Sequence, residues 1–138
     1  MATISDIIEQ QPSERRLKGN AMGLTYVEGK VTGPTGATRT VDFLIDSGAT
    51  YSLLPQEVWQ DLGLQPTESY KFVLADGTKI ERGVSECRIA LNGTERHSPV
   101  ILGVPGDEPL IGAVTLEVLG LVLDPFQRKL QAMKMRLG

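Results

Sequence analysis

Hydrophobic and polar positions alternate along most of the chain after residue 24. Val27, Gly29 and Val31 fall on one face, while Tyr26, Glu28 and Lys30 fall on the other. That period of two predicts a half-buried strand. Gly33-Pro34-Thr35-Gly36 reads as a turn. Residues 41–45 are more apolar, as in a buried strand, and lead into Asp46-Ser47-Gly48-Ala49. Residues 55–62 predict a short helix: Pro55 suits its first position, Glu57 its positive end and Gly63 its C-terminal cap. Residues 71–84 predict a hairpin with Ala75-Asp76-Gly77-Thr78 at its tip, and Asp-Gly is a strong turn signal. Cys87, Ile89 and Leu91 then alternate with Glu86, Arg88 and Ala90 before Asn92-Gly93 turns the chain into a second hairpin. Beyond a loop at residues 103–109, Leu110-Ile111-Gly112 precedes a helix at residues 113–119 that stops at Gly120. Strands are expected at residues 121–123 and 129–135.

The sum is a mainly β chain with one or two short helices, a small β-barrel or folded sheet rather than a βαβ fold. Residues 1–21 do not share the alternation. They read as an N-terminal extension, either a flexible tail or an arm or prosegment that docks elsewhere, with a single domain over residues 22–138.

Composition narrows the function classes. With 138 residues and 41% hydrophobic content, the chain can bury a core without disulfides. Its formal net charge is -3 and its 14 Lys and Arg form no long run, so no nucleic-acid partner is expected. No apolar stretch is long enough to span a membrane, so no membrane partner is expected either. The single cysteine, Cys87, excludes an internal disulfide and suits a reducing compartment such as the cytoplasm. One His and one Cys cannot supply the usual four-ligand structural zinc site, and no metal or cofactor is called for. Neither a P-loop nor a Gly-x-Ser-x-Gly nucleophile elbow is present. His97 sits in a polar stretch and reads as a surface residue, whereas Cys87 lies on the apolar face of its strand and reads as core.

Asp46 is the informative residue. A carboxylate directly after Phe43-Leu44-Ile45 is costly unless it is hydrogen-bonded or has a task. Ser47 can bond across a turn, and Gly48 permits close approach of another chain. An ordinary Asx-turn explains the same residues.

The segment resembles the Asp-Ser/Thr-Gly-Ala motif of the retropepsin-like aspartic proteases. The resemblance extends over roughly residues 24–135: an apolar strand, Asp46-Ser47-Gly48-Ala49, a hairpin at Asp76-Gly77, then Leu110-Ile111-Gly112 before a short helix. It implies a closed or folded β-barrel of the retropepsin (acid protease) type. It implies that Asp46 is the catalytic carboxylate, that Ser47 braces the active-site loops across subunits, and that Gly48 accepts a hydrogen bond from substrate backbone, with Ala49 in the same loop. Ala75, Asp76, Gly77 and Thr78 would form a substrate-binding flap tip, and Gly112 would lie behind the site. Retroviral members usually carry a paired Asp and Arg where this chain has Thr50 and Ala113. Both partners are missing together, so no charge is orphaned. The pocket and dimer contacts are expected to differ from the viral ones.

This chemistry requires two carboxylates, one ionised and one protonated. Asp-Ser-Gly occurs once, and Asp124 in Leu123-Asp124-Pro125 reads as a strand-end residue. The second carboxylate is therefore expected from a second copy of the chain, making a homodimer that hydrolyses peptide or protein substrates. The alternative is a non-catalytic retropepsin-like domain that dimerises or binds extended peptides.

Overall fold

The computed structural model describes residues 24–133. The extension at residues 1–21 and positions 134–135 of the expected last strand lie outside them. Among the described residues, nine strands and two short helices follow one another: β1 (Tyr26–Thr32), β2 (Thr38–Ile45), β3 (Ser52–Leu54), α1 (Gln56–Asp61), β4 (Glu68–Val73), β5 (Lys79–Leu91), β6 (Thr94–Leu102), β7 (Leu110–Ile111), α2 (Ala113–Leu119), β8 (Leu121–Asp124) and β9 (Lys129–Ala132).

Seven strands form one sheet in the order β1-β2-β7-β3-β6-β5-β4, and an additional β1–β5 pairing closes six of them into a ring. β4 stays outside the ring, paired to the first half of β5. β8 and β9 make a separate antiparallel pair. The mainly β architecture expected from the alternation is therefore present, as a closed ring of strands.

The ring encloses the core. Phe43, Leu54, Ile89 and Ile111 are fully buried within it, and Val58, Leu62, Leu116 and Leu119 pack the two helices against it. Gly29, opposite Val41 in the β1–β2 register, marks a point of close approach. A Cβ there would meet Leu91 Cδ2 at 2.6 Å and the Phe43 ring at 3.0 Å, so the absent side chain is what admits the ring. Cys87 is buried and His97 is exposed, each as its strand position predicts.

Turn chemistry fixes the register. Asn92 (φ 52) and Gly93 (φ 81) form the two-residue connection between β5 and β6, with Leu91 facing Thr94. Two successive positive φ values match the twist of the flanking strands. Gly120 (φ 68) ends α2 in the left-handed conformation, and its carbonyl accepts from the N–H of Met133 at 2.7 Å, which seats the end of the β8–β9 pair.

Three details differ from the expectations. Pro55 is the N-cap of α1 rather than its first helical residue: its ψ of 153° is extended, and its carbonyl accepts from Val58 N–H and Trp59 N–H. The two expected hairpins share β5, an unbroken strand of 13 residues in which Val84 and Ser85 are both buried and the buried positions pass from even to odd numbers. The last strand is also shorter on its described side, ending at Ala132.

Candidate functional site

β2 and β7 run parallel, pairing Leu44 with Leu110 and Ile45 with Ile111. Asp46 follows at the end of β2, where its N–H donates to Ile111 O at 2.8 Å. The chain then turns: Ala49 N–H donates to Asp46 O at 3.0 Å, and Gly48 N–H donates to Asp46 Oδ1 at 3.1 Å. Asp46 is 2% exposed, while Ser47 and Gly48 are exposed and Ala49 is half-buried. The Asx-turn read from the sequence is thus present, and it holds a buried carboxylate at a loop whose next residues face outward.

The second wall comes from the segment around Gly112. Ala113 N–H donates to Ala49 O at 2.7 Å and Val114 N–H donates to Thr50 O at 3.0 Å, so the start of α2 is tied directly to the Asp46 loop. A Cβ on Gly112 would lie 2.6 Å from Tyr51 O and 2.9 Å from Ala49 O, both backbone atoms. Only glycine lets these two segments approach so closely. Thr50 and Ala113, which stand where retroviral members carry an ion pair, are not bonded to each other but each bonds the other's neighbour, Thr50 O to Val114 N–H and Ala113 N–H to Ala49 O.

A chain of hydroxyls lies beneath. Gly112 N–H donates to Ser52 Oγ at 3.0 Å, Ser52 Oγ meets Thr115 Oγ1, Thr115 Oγ1 meets Ser98 Oγ at 2.7 Å, and Ser98 Oγ donates to Pro99 O at 3.2 Å. With a backbone donor at one end and a carbonyl at the other, the direction is fixed: each hydroxyl accepts once and donates onward. Ser52 and Thr115 are fully buried and Ser98 nearly so. The sequence reading missed these three residues. Serine and threonine in strands and a helix carry no distinctive spacing, and their connection exists only after folding.

The β4–β5 hairpin supplies the remaining wall. Ala75, Asp76 and Gly77 form its tip: Leu74 N–H donates to Thr78 O at 2.8 Å, Gly77 N–H donates to Leu74 O at 2.9 Å, and Gly77 has φ +86. Thr78 N–H donates to Asp76 Oδ1 at 2.9 Å. Hydrogen bonds from the Thr78 side chain and then its backbone hold the Asp76 carboxyl below the usual carboxylate value, so the turn keeps its charge in mild acid.

A cavity of about 380 Å³ separates this hairpin from the Asp46 loop. Gly48, Ala49 and Ala75 line it, so the structure brings the two expected site segments to one space. Asp46, Asp76, Gly77 and Thr78 do not line it. Gly112 stays behind the loop. Tyr51, Tyr70 and Phe72 form an aromatic cluster at the base of the hairpin, with ring centroids 5.8–6.4 Å apart in tilted and edge-on arrangements. These aromatics were also not singled out from the sequence, although Tyr70 and Phe72 do alternate with Lys71.

Asp124 has a different setting. Its Oδ1 accepts from Phe126 N–H at 2.9 Å and Gln127 N–H at 3.1 Å, capping the β8–β9 turn as a strand-end residue does. Among the described residues, no group of three or more His, Cys, Asp and Glu is placed to hold a metal ion. No helix among them is long and apolar enough to cross a membrane.

Comparison with known proteins agrees with this geometry. A search of curated proteins gave no match. Among solved structures the chain is similar to the solution structure of Simian Foamy Virus (mac) protease, with 17% sequence identity and a TM-score of 0.50 over 67% of this chain and 92% of the viral one. At that identity the likeness speaks for the fold. The family described as aspartyl protease matches residues 27–118, from β1 to the last turn of α2 and including the Asp46 loop, the β4–β5 hairpin and Gly112. The chain belongs to the aspartyl protease family and has a retropepsin-like fold.

Proposed function

We propose that the protein is an aspartic endopeptidase that works as a homodimer, with Asp46 of each subunit forming one catalytic pair. The observation that carries the reading is the buried Asp46 carboxylate, which accepts from Gly48 N–H in a loop whose next residues, Gly48 and Ala49, line a cavity together with the β4–β5 hairpin. A carboxylate held in this way is pre-positioned for proton transfer.

In the proposed reaction a peptide lies extended between the hairpin, acting as a flap, and the Asp46 loop. Gly48 leaves its carbonyl accessible to substrate N–H groups, as in strand addition. One Asp46 carboxylate takes a proton from water as the water attacks the scissile carbonyl carbon. The other, protonated, donates to the carbonyl oxygen; the tetrahedral species then breaks the C–N bond as a proton passes to the leaving nitrogen. Ser47, exposed in the isolated chain, is suited to bonding across the two-fold axis. Ala75, Asp76, Gly77 and Thr78 close over the peptide, and Ala49 and Gly112 keep the loop in place.

Asp46→Asn is nearly isosteric but cannot act as a base. Cleavage of a peptide library, followed by mass spectrometry, should fall by at least about a thousandfold in this variant, with circular dichroism unchanged. Activity within tenfold of the wild type would sink the assignment.

A further inference from the structure

One peptide unit connects the buried hydroxyls to Asp46. The peptide between Ile111 and Gly112 is planar, so its carbonyl and its N–H turn together. Its carbonyl, Ile111 O, accepts from Asp46 N–H at 2.8 Å. Its N–H, that of Gly112, donates to Ser52 Oγ at 3.0 Å. Ser52 is held in turn by Thr115, and Thr115 by Ser98, all three buried. Each hydroxyl accepts once and donates onward, so a rotation of one disturbs the next.

The next two N–H groups of the same segment, those of Ala113 and Val114, close on Ala49 O and Thr50 O. Residues 111–114 therefore clamp the Asp46 loop at both ends. Asp46 is 2% exposed and its Oδ1 accepts from Gly48 N–H, so the carboxylate follows the backbone of its own loop. Resting on the reading of Asp46 as the catalytic carboxylate, we infer that Ser52, Thr115 and Ser98 are positioning residues. They fix the plane of the 111–112 peptide and, through its carbonyl, the backbone of Asp46. Their loss lowers turnover without weakening peptide binding, because a misplaced reacting group costs rate rather than affinity.

Hydrogen exchange read by NMR, amide by amide, separates this role from stability alone. Asp46 N–H donates to Ile111 O, whereas the neighbouring Ile45 N–H donates to Thr25 O at 2.8 Å, away from the hydroxyls. A general loss of stability speeds both amides alike, and a loosened 111–112 peptide speeds Asp46 alone. In Ser52→Ala the ratio of Asp46 protection to Ile45 protection should fall roughly fivefold, the worth of one hydrogen bond. Ser98→Ala, at the far end, should lower it by a smaller factor and serves as the test where Ser52→Ala does not fold. Thr115→Ser keeps the hydroxyl and should keep the wild-type ratio. On a library peptide that the wild type cleaves, Ser52→Ala should lower kcat roughly tenfold with KM unchanged, while Thr115→Ser retains wild-type kcat. A protection ratio unchanged in the folded alanine variants overturns the inference, as does a fallen ratio with kcat at the wild-type value. A ratio that falls in a protein whose wild type cleaves no peptide removes the peptidase reading alone and supports the hold of the hydroxyls on Asp46.

Discussion

The Thr115 hydroxyl joins α2 to β3 and β6 through Ser52 and Ser98. Thr115→Val keeps the shape but leaves Ser52 without an acceptor and Ser98 without a donor in the interior. Each unsatisfied group costs about 1–3 kcal/mol. Chemical denaturation should show a loss of about 2–4 kcal/mol, whereas the same change at exposed Thr38 or Thr40 should lie within about 0.5 kcal/mol. Cys87 gives a second residue-level prediction. Burial, with a smaller contribution from Glu86, pushes its thiol up from 9.0 to about 12. The folded state therefore favours the neutral thiol. Its contribution to stability is complete below pH 9.0 and is lost as pH rises toward about 12. Urea midpoints of the wild type should fall more steeply over that range than those of Cys87→Ala, by up to about 1.4 kcal/mol per pH unit. Asp46 was legible from the sequence because a carboxylate after three apolar residues is conspicuous in one dimension. Ser52 and Thr115 were not, because they are 63 residues apart and become partners only when α2 docks.

At the scale of elements, the period-two pattern located β1 and the second half of β5 well because one face of each lies in the core, whereas β3, buried at all three positions, shows no alternation. Ends and junctions were less legible. Pro55 is compatible with either side of a helix boundary, and the pattern does not say that one strand serves two hairpins. That sharing matters for the β4–β5 hairpin. Residues 79–84 of β5 pair only with β4, apart from Val84 facing Ile101, while residues 85–91 pair with β6 and residues 88–90 with β1 as well. The outer half therefore has fewer neighbours to hold it. Hydrogen exchange should be fast at residues 74–79 of the free protein and slow when a peptide inhibitor is bound. Protection of the tip equal to that of residues 41–45 without inhibitor would show that the hairpin is no flap. Gly77 has φ +86, and a Cβ added there would meet nothing within 4 Å, so Gly77→Val encounters backbone strain rather than a clash. It should slow turnover while shifting the global unfolding midpoint little, since the tip packs against little.

For the whole molecule, one Asp46 loop per chain means that activity should depend on assembly. Sedimentation should show mass rising from one chain to two with concentration, and specific activity should rise along the same curve. Full activity in a species that stays monomeric would contradict the shared pair. The closed ring sets how such assembly can occur. Every ring strand has ladder partners on both sides, whereas β4, β8 and β9 each have one among the described residues. In effect the molecule has a limited hydrogen-bonding valence: among the described residues β4, β8 and β9 each keep one whole edge of main-chain donors and acceptors without a ladder partner. Peptide capture beside β4 and self-association beside β8 or β9 would then draw on separate edges, so that neither event need compete with the other for backbone.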